Sequence, residues 1–299
     1  MFIPAYQKIL TSGSLEEKVA SLTERLKKCD ICPLRCGVNR LNGEVGTCGI
    51  GERVWVSRFG PHHGEEDPIR GIGGSGTIFF SGCNLSCLYC QNADISQAVT
   101  GMELSSRQLA HQMLDLQSLG CHNINLVSPT HVVPQIAEAI FLAAMDGLTL
   151  PVVFNSGGYD SLETIRTLDG IIDIYMPDMK YSDEKIGQDL SGIPSYPAVN
   201  QAAVLEMHRQ VGDLVISDGL AERGLLIRHL ILPNGLAGSK DILRFIKDKV
   251  SADTYLNIMD QYRPAYRASL SGQINRRVSG SEYRDIICYA ESLGLTRLD

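Results

Sequence analysis

The stretch that decides the fold is residues 76–90, GTIFFSGCNLSCLYC. Its first half is a short apolar run that ends at Gly82, as expected for a buried β-strand followed by a turn. Its second half places Cys83, Cys87 and Cys90 directly after that strand. Three thiols this close together indicate a metal site, yet zinc and ordinary iron–sulfur sites take four ligands. The spacing therefore predicts a metal centre with one open coordination position.

The chain after this stretch alternates apolar strand patterns with helical patterns. The predicted strands span residues 76–82, 123–129, 150–156, 171–180, 225–233 and 254–262. Two of the intervening helical patterns end at glycines suited to a helix C-terminus, Gly120 and Gly147. Nearly continuous apolar strands separated by helices favour a parallel sheet with its chemistry at the C-terminal strand ends. The predicted fold class is α/β, with a partial (β/α)6 TIM-like barrel in residues 73–299 that is followed by a C-terminal helix.

Residues 1–72 are predicted to form a separate extension that begins with a helix. Residues 14–28, SLEEKVASLTERLKK, place one apolar residue per turn on a single face, and Ser14 with Glu17 has the spacing of a capping box. The apolar stripe consists of Leu15, Val19, Leu22 and Leu26. This helix leads directly into a cysteine-rich segment.

That segment contains a complete set of four thiols. The set consists of Cys29, Cys32, Cys36 and Cys48. Four thiolates at this spacing fit a closed structural Zn²⁺ site and an auxiliary [4Fe–4S] cluster equally well. The sequence predicts a second metal centre here and leaves its metal open.

Composition narrows the class of protein. The chain of 299 residues is 44% hydrophobic and 20% charged, which is typical of a folded domain. A net charge of -7 without a long Lys/Arg run argues against nucleic acid or an anionic membrane as partner. No apolar stretch approaches the roughly 20 residues that span a bilayer, and the start lacks a signal-peptide pattern. Nine cysteines without a secretion signal indicate metal or redox chemistry in the cytoplasm.

The motif Cys83-x3-Cys87-x-Tyr89-Cys90 directly after a strand resembles the radical S-adenosylmethionine (SAM) superfamily. The resemblance implies a [4Fe–4S] cluster on the three cysteines, with the amino and carboxylate groups of SAM filling the open iron position. It implies reductive cleavage of SAM to a 5′-deoxyadenosyl radical that abstracts hydrogen from a substrate. It also implies that Tyr89 packs beside the adenine. A three-thiolate zinc site, or a structural cluster with a distant fourth ligand, is the alternative.

A wider resemblance, over roughly residues 76–265, is to radical SAM proteins similar to pyruvate formate-lyase-activating enzyme. It implies that Asp178 and Lys180 match the family's Asp-x-Lys contact to SAM, with the ammonium pairing with the SAM carboxylate. In NSGGYD, Asn155 and Ser156 match the polar turn that binds the ribose or the methionine part. In IRHLILPNG the resemblance nominates Arg228. A structural ion pair and a simple turn are the alternatives for the first two motifs.

Two positions depart from that family pattern. Gln261 and Tyr262 end the last predicted strand, where the family often has a SAM-contacting histidine. After the second predicted strand the family usually carries Gly-Gly-Glu, whose carboxylate receives the SAM ammonium, whereas this chain has Ser128 to His131, SPTH. Hydroxyl groups or backbone carbonyls of Ser128 and Thr130 are the substitutes expected here.

A branch of the same family also carries an N-terminal cysteine segment followed by a histidine and paired glutamates. This chain has PHHGEEDPIRG, with His62, His63, Glu65 and Glu66. We expect a solvated loop, and the alternative is a segment that lines the substrate entrance or moves protons.

The resemblance implies an enzyme with oxidoreductase chemistry, but it leaves the substrate open. One candidate is the glycine Cα–H of a partner glycyl-radical enzyme, and the other is a small molecule or a different polypeptide. The class also implies a flavodoxin or ferredoxin as electron donor. The rival from another class is a non-catalytic iron–sulfur electron-transfer or scaffold protein.

Overall fold

A computed structural model describes residues 2–299 and places nine strands in one mostly parallel sheet. The strands are β1 (Val54–His62), β2 (Ser75–Phe80), β3 (Met102–Leu104), β4 (Ile124–Val127), β5 (Val152–Ser156), β6 (Ile174–Pro177), β7 (Val215–Ser217), β8 (Leu220–Leu230) and β9 (Tyr255–Met259). Their order is β3-β1-β2-β4-β5-β6-β8-β7, and β9 pairs with β8.

Six of these strands are the ones predicted from the apolar runs. The pairs β2–β4, β4–β5, β5–β6, β6–β8 and β8–β9 are all parallel. The free side of β2 is taken by β1, which runs antiparallel to it, so the sheet does not close from β9 back to β2. The predicted α/β fold with a partial barrel is confirmed.

Helices cover the sheet and connect its strands. They are α1 (Ala5–Leu10), α2 (Ser14–Glu24), α3 (Asp67–Arg70), α4 (Ala93–Ser96), α5 (Ser106–Ser118), α6 (Val133–Met145), α7 (Leu162–Thr167), α8 (Glu184–Ser191), α9 (Tyr196–Val211), α10 (Ser239–Phe245) and α11 (Gly280–Ser292). As predicted, α5 and α6 end just before Gly120 and Gly147. Within residues 2–299, no helix is both long and apolar enough to cross a membrane.

The N-terminal helix begins where it was predicted but is capped differently. Ser14 is already the first helical residue of α2, Gly13 occupies the N-cap position, and no side chain caps the helix. The predicted capping box is therefore wrong. The apolar stripe is confirmed, because Leu15 and Leu22 are fully buried and Leu26 nearly so.

The N-terminal segment and the barrel share one buried apolar cluster. Tyr6 and Leu15 belong to the same cluster as Ile136 and Ile140 of α6. The Tyr6 hydroxyl also donates a hydrogen bond to the carbonyl of Leu150, just before β5. The segment therefore packs directly on the barrel helices, and the division at residue 72 stays a prediction.

Strand β1 is the main element that the sequence did not predict. It pairs antiparallel with β2, with Val56 beside Phe80 and His62 beside Ser75. The chain therefore runs from the C-terminal to the N-terminal end of β2 before α3. The residues after His62 then approach β8 and β9, where Glu66 contacts Arg228 and Asn257.

Candidate active site

One cavity of about 450 Å³ lies at the C-terminal ends of the parallel strands. Its walls bring together residues from the cysteine loop and from the ends of β4, β5, β6, β8 and β9. Among its lining residues are Cys83, Cys87, Cys90, Tyr89, Ser128, Thr130, Asn155, Ser156, Asp178, Lys180 and Arg228. All of the site residues predicted around the first cysteine motif therefore line it, with the exception of Tyr262.

The loop that follows β2 carries the three thiols, and each has a local partner. The backbone N–H of Leu85 donates to Cys83 Sγ at 3.4 Å. Cys87 Sγ lies 3.0 Å from the Ser191 hydroxyl, and Cys90 Sγ lies 3.1 Å from the Ser96 hydroxyl. These contacts orient the thiols from different sides of one loop.

The C-terminal end of α8 fixes this loop. The N–H groups of Ser86 and Leu88 donate to the carbonyls of Ser191 and Leu190, at 2.9 and 2.8 Å. Helix carbonyls in the last turn lack partners within the helix, so this contact satisfies both elements. The Tyr89 hydroxyl lies 2.5 Å from the Tyr181 hydroxyl. Tyr89 is thus held in the cavity wall.

The thiols are unfavourable as separate anions. Burial raises the pKa of Cys83 to about 12, and the neighbouring Cys87 adds to the rise. Thiolates so placed need a cation among them, and iron bound by Cys83, Cys87 and Cys90 would supply that charge. Within residues 2–299, no group of three or more His, Cys, Asp or Glu side chains, in either cysteine set, lies close enough together to hold a single metal ion. A cuboidal cluster distributes its thiolates over separate irons, so a set of three cysteines around an open cavity fits it.

Asp178 and Lys180 follow β6 and form an ion pair inside the cavity. Lys180 Nζ lies 2.5 Å from Asp178 Oδ2, and the two side chains are only 14% and 24% exposed. Burial is the largest single effect and opposes the charged ammonium, but Asp178, Cys87 and Tyr196 together raise the pKa of Lys180 well above its usual value. The cavity therefore contains a fixed positive charge with a carboxylate beside it.

The turn after β5 places Asn155 and Ser156 on the cavity wall. Gly158 follows with a left-handed backbone (φ +75°), and a Cβ at this position would overlap the carbonyl oxygen of Asp178. Asn200 of α9 donates to the carbonyls of both Gly158 and Asp178 at 2.9 Å. This contact brings the ends of β5 and β6 together, which requires a glycine at 158.

The loop after β4 contributes hydroxyls in place of a carboxylate. Ser128 and Thr130 line the cavity, and Ser128 adopts a left-handed conformation (φ +58°). The Thr130 hydroxyl donates to Asp160 at 2.6 Å, and the Ser156 hydroxyl donates to the other Asp160 oxygen at 2.6 Å. Sequence reasoning missed Asp160, although it ends the NSGGYD motif, because its partner Thr130 is thirty residues away.

Arg228 lines the cavity, but two carboxylates already hold its guanidinium. Arg228 Nη1 lies 3.6 Å from Glu65 Oε2, and Nε lies 3.2 Å from Glu66 Oε1. Asn257 donates to the same Glu66 oxygen at 2.7 Å. The side chains of Glu65 and Glu66 are 7% and 1% exposed, so the expected solvated loop is wrong at these two residues. Arg228 stabilises their burial, and Glu65 joins the cavity wall beside His62 and Arg58.

Tyr262 lies behind the cavity rather than on its wall. Its hydroxyl donates to the carbonyl of Ile274 at 2.7 Å, and its ring packs edge-on against Tyr89. The predicted cofactor contact of Tyr262 is therefore corrected to a supporting contact behind Tyr89. Met259 and Gln261 occupy the wall at the end of β9 instead.

The four N-terminal cysteines line a second, much smaller cavity. Its lining includes Cys29, Cys32, Cys36, Cys48, Arg40 and His131. Arg40 is 1% exposed, its Nη1 lies 4.0 Å from Cys29 Sγ, and its Nη2 has no hydrogen-bond partner. A buried cation beside Cys29, on a cavity lined by four thiols, fits a metal centre that carries net negative charge.

The two cysteine sites are adjacent. Gly82 immediately precedes Cys83 and has a left-handed backbone (φ +77°), and a Cβ there would overlap the carbonyl oxygen of Cys48. Arg40 Nη1 donates to the carbonyl of His131, whose ring nitrogen Nε2 lies 2.9 Å from the carbonyl of Ser81. The N-terminal site therefore packs against the start of the cysteine loop.

Comparison with known proteins gives a consistent assignment. The family model of the radical SAM superfamily matches residues 77–217. An uncharacterized protein of Methanocaldococcus jannaschii is 32% identical over 290 residues, which cover 94% of this chain and 79% of that protein.

Two solved structures resemble the fold. A radical SAM methyltransferase from Sphaerobacter thermophilus aligns with a TM-score of 0.52 and 13% identity, over 75% of this chain and 65% of that one. The FeFe-hydrogenase maturase HydG from Carboxydothermus hydrogenoformans aligns with a TM-score of 0.51 and 12% identity, over 72% of this chain and 50% of that one. The chain thus spans less than two thirds of either protein, and at this identity the likeness concerns the fold alone. We conclude that residues 77–217 form a radical SAM superfamily domain and that the whole chain is related to the uncharacterized Methanocaldococcus jannaschii protein.

Proposed function

We propose that the protein is a radical SAM enzyme that cleaves SAM reductively and abstracts a hydrogen atom from its substrate. The observation that carries this proposal is the shared cavity. Three thiols form one part of its wall, and the Lys180–Asp178 ion pair with Asn155 and Ser156 forms another. A small molecule with a carboxylate, an amino group and a ribose finds a matching group on each side.

In this proposal Cys83, Cys87 and Cys90 hold the [4Fe–4S] cluster. The cluster would supply the electron that breaks the sulfonium bond of SAM. Lys180 would pair with the SAM carboxylate, and Asp178 would hold the Lys180 ammonium in place. Tyr89, fixed through its hydroxyl by Tyr181, would pack beside the adenine.

The substrate belongs to one of two classes within this proposal. The first is the glycine Cα–H of a partner glycyl-radical enzyme, as in activating enzymes. The second is a small molecule or another polypeptide. Arg58, His62 and Glu65 contribute ionisable side chains to the cavity wall, which supports a polar substrate in either class. Incubation with each candidate, followed by mass spectrometry or detection of a glycyl radical, separates the two.

We further propose a second metal centre at Cys29, Cys32, Cys36 and Cys48, either Zn²⁺ or an auxiliary [4Fe–4S] cluster. Either Zn²⁺ or a [4Fe–4S] cluster would carry net negative charge when bound by four thiolates. The buried Arg40 guanidinium complements that charge. Metal analysis of a variant with Ala at positions 83, 87 and 90 distinguishes them. Zinc or about four irons should remain, and loss of all metal would contradict the second centre.

A low-potential carrier such as a flavodoxin or ferredoxin is the proposed electron donor. The cytoplasm is the proposed compartment, because two groups of reduced thiols must persist for metal binding.

The direct test is electron paramagnetic resonance of the reduced cluster with and without SAM. We expect SAM to change the signal of the anaerobically reconstituted protein, because SAM would bind the cluster's open iron. An unchanged signal from a fully loaded cluster would favour the rival function, a non-catalytic iron–sulfur electron carrier or scaffold. The Ala variant at positions 83, 87 and 90 provides the matched control, since it retains only the N-terminal site.

A further inference from the structure

The loop after β4 lacks the expected carboxylate, but a carboxylate lies one layer behind the cavity wall. Asp160 is 1% exposed and does not line the cavity itself. Its two oxygens accept hydrogen bonds of 2.6 Å from the hydroxyls of Thr130 and Ser156. Both of these residues line the cavity. Asp160 therefore acts on the cavity only through these two hydroxyls.

These hydrogen bonds decide what the wall offers a ligand. A hydroxyl has one proton, and both hydroxyls use it on Asp160. Ser156 Oγ accepts in addition from the N–H of Gly158 at 3.2 Å. Both oxygens can therefore present only lone pairs to the cavity, so the wall favours a ligand that donates protons.

The charge of Asp160 also lacks a partner. Among residues 2–299 no Lys, Arg or His forms a salt bridge with it. Buried carboxylates are normally paired, and burial raises the pKa of Asp160 to about 6 despite its two hydrogen bonds. A proton-donating ligand group in the cavity would interact favourably with this charge through the two hydroxyls.

We propose that Thr130 and Ser156, whose protons are held by Asp160, accept hydrogen bonds from the α-amino group of SAM in place of the missing glutamate. The inference rests on the proposed SAM chemistry and adds Asp160 as a positioning residue. The Lys180–Asp178 pair lines the same cavity, and the Lys180 ammonium is the group that would bind the SAM carboxylate. The Lys180 ammonium and the two acceptor hydroxyls thus offer different groups to the two ends of an amino acid.

The test compares two ligands, SAM and its analogue without the α-amino group. Asp160→Asn keeps the shape but replaces one acceptor with an amide donor, so one hydroxyl must turn its proton toward the cavity. We expect this variant to bind SAM about tenfold more weakly and the analogue within about twofold of wild type. Equilibrium dialysis on anaerobically reconstituted protein measures both affinities.

Thr130→Val serves as the second variant in case Asp160→Asn does not fold, and the same selective loss is expected. An equal weakening of both ligands would show a merely structural role and overturn the inference. So would unchanged SAM affinity in a folded variant. If wild-type protein with a full cluster binds no SAM, the proposed function itself fails, which is a separate outcome.

Discussion

Lys180 shows how a single residue can define one side of the site. Its ammonium is largely buried and is held at 2.5 Å by Asp178. A buried charge with one partner retains strong interactions with a ligand, because water does not screen it. Replacing Lys180 should therefore affect ligand binding more than an exposed lysine would.

We predict that Lys180→Met lowers the affinity for SAM by about tenfold to a hundredfold, since charged hydrogen bonds contribute about 1.5–3 kcal/mol. The control is Lys185→Met, because Lys185 forms an exposed ion pair with Asp189 on α8. Such surface pairs contribute about 0–1 kcal/mol, so this variant should bind normally. Isothermal titration with SAM measures both. Equal affinities of the two variants would remove Lys180 from the site.

The residues that sequence reasoning located share short spacings. Asp178 and Lys180 are two apart, and the three cysteines lie in one loop, so local geometry places them together. Asp160 was missed and Glu66 was expected in a solvated loop, because tertiary contacts determine the environments of both. Thr130 and Ser156 bind Asp160, and Arg228 stabilises the burial of Glu66.

At the scale of elements, the cysteine loop depends on a glycine at its start. Gly82 combines a left-handed backbone with close approach to the carbonyl of Cys48. Ala at this position would have to displace that carbonyl or the loop, which changes both cysteine sites.

We predict that Gly82→Ala lowers the iron content of the reconstituted protein and destabilises it by more than about 2 kcal/mol. Gly120→Ala is the matched control, because Gly120 has a similar φ of +82° but open space around its Cβ position. That variant should lose only about 1 kcal/mol and keep its iron. Iron analysis and urea unfolding test the pair, and similar behaviour would show that the Cys48 contact has little effect.

Asp173 joins α1 to the barrel. One of its oxygens accepts from the N–H of Ala5 at 2.7 Å, and the other accepts from the N–H of Val152 at 2.9 Å. We predict that Asp173→Ala lowers the free energy of unfolding by about 2–4 kcal/mol, since two buried donors lose their acceptor. Asp169→Ala should cost less than about 1 kcal/mol, because Asp169 forms an exposed pair with Arg209. Urea unfolding measures both, and equal costs would contradict the anchoring role.

Apolar runs made the six parallel strands predictable, since each must be covered on both faces. Strand β1 was not predicted, because its apolar residues are interrupted by Arg58, Gly60 and Pro61 and its partner β2 determines its conformation. The capping box failed for a local reason. Gly13 turns the chain one residue earlier, which makes Ser14 helical.

At the scale of the whole molecule, the N-terminal segment connects to the barrel site through hydrogen bonds. Arg40 contacts the second cysteine site and the carbonyl of His131, and the His131 ring contacts the carbonyl of Ser81. Thr130, the neighbour of His131, lines the main cavity. Changes at the proposed N-terminal metal centre should therefore reach the cysteine loop.

We predict that Arg40→Met lowers metal retention at the N-terminal site about tenfold under a chelator, because it removes the buried compensating charge. Arg35→Met is the control, since Arg35 lies in the same segment but is 62% exposed. Metal analysis after chelation, in the background with Ala at positions 83, 87 and 90, reports this site alone. Unchanged retention in Arg40→Met would show that Arg40 does not stabilise the centre.

The central claim is that the opening among Cys83, Cys87 and Cys90 is where SAM binds and is cleaved. The most direct measurement is the formation of 5′-deoxyadenosine by anaerobically reconstituted protein with SAM and dithionite. We predict product from wild type and none from Cys87→Ala. The claim is contradicted if wild type with a complete cluster forms no product, or if the variant forms as much as wild type.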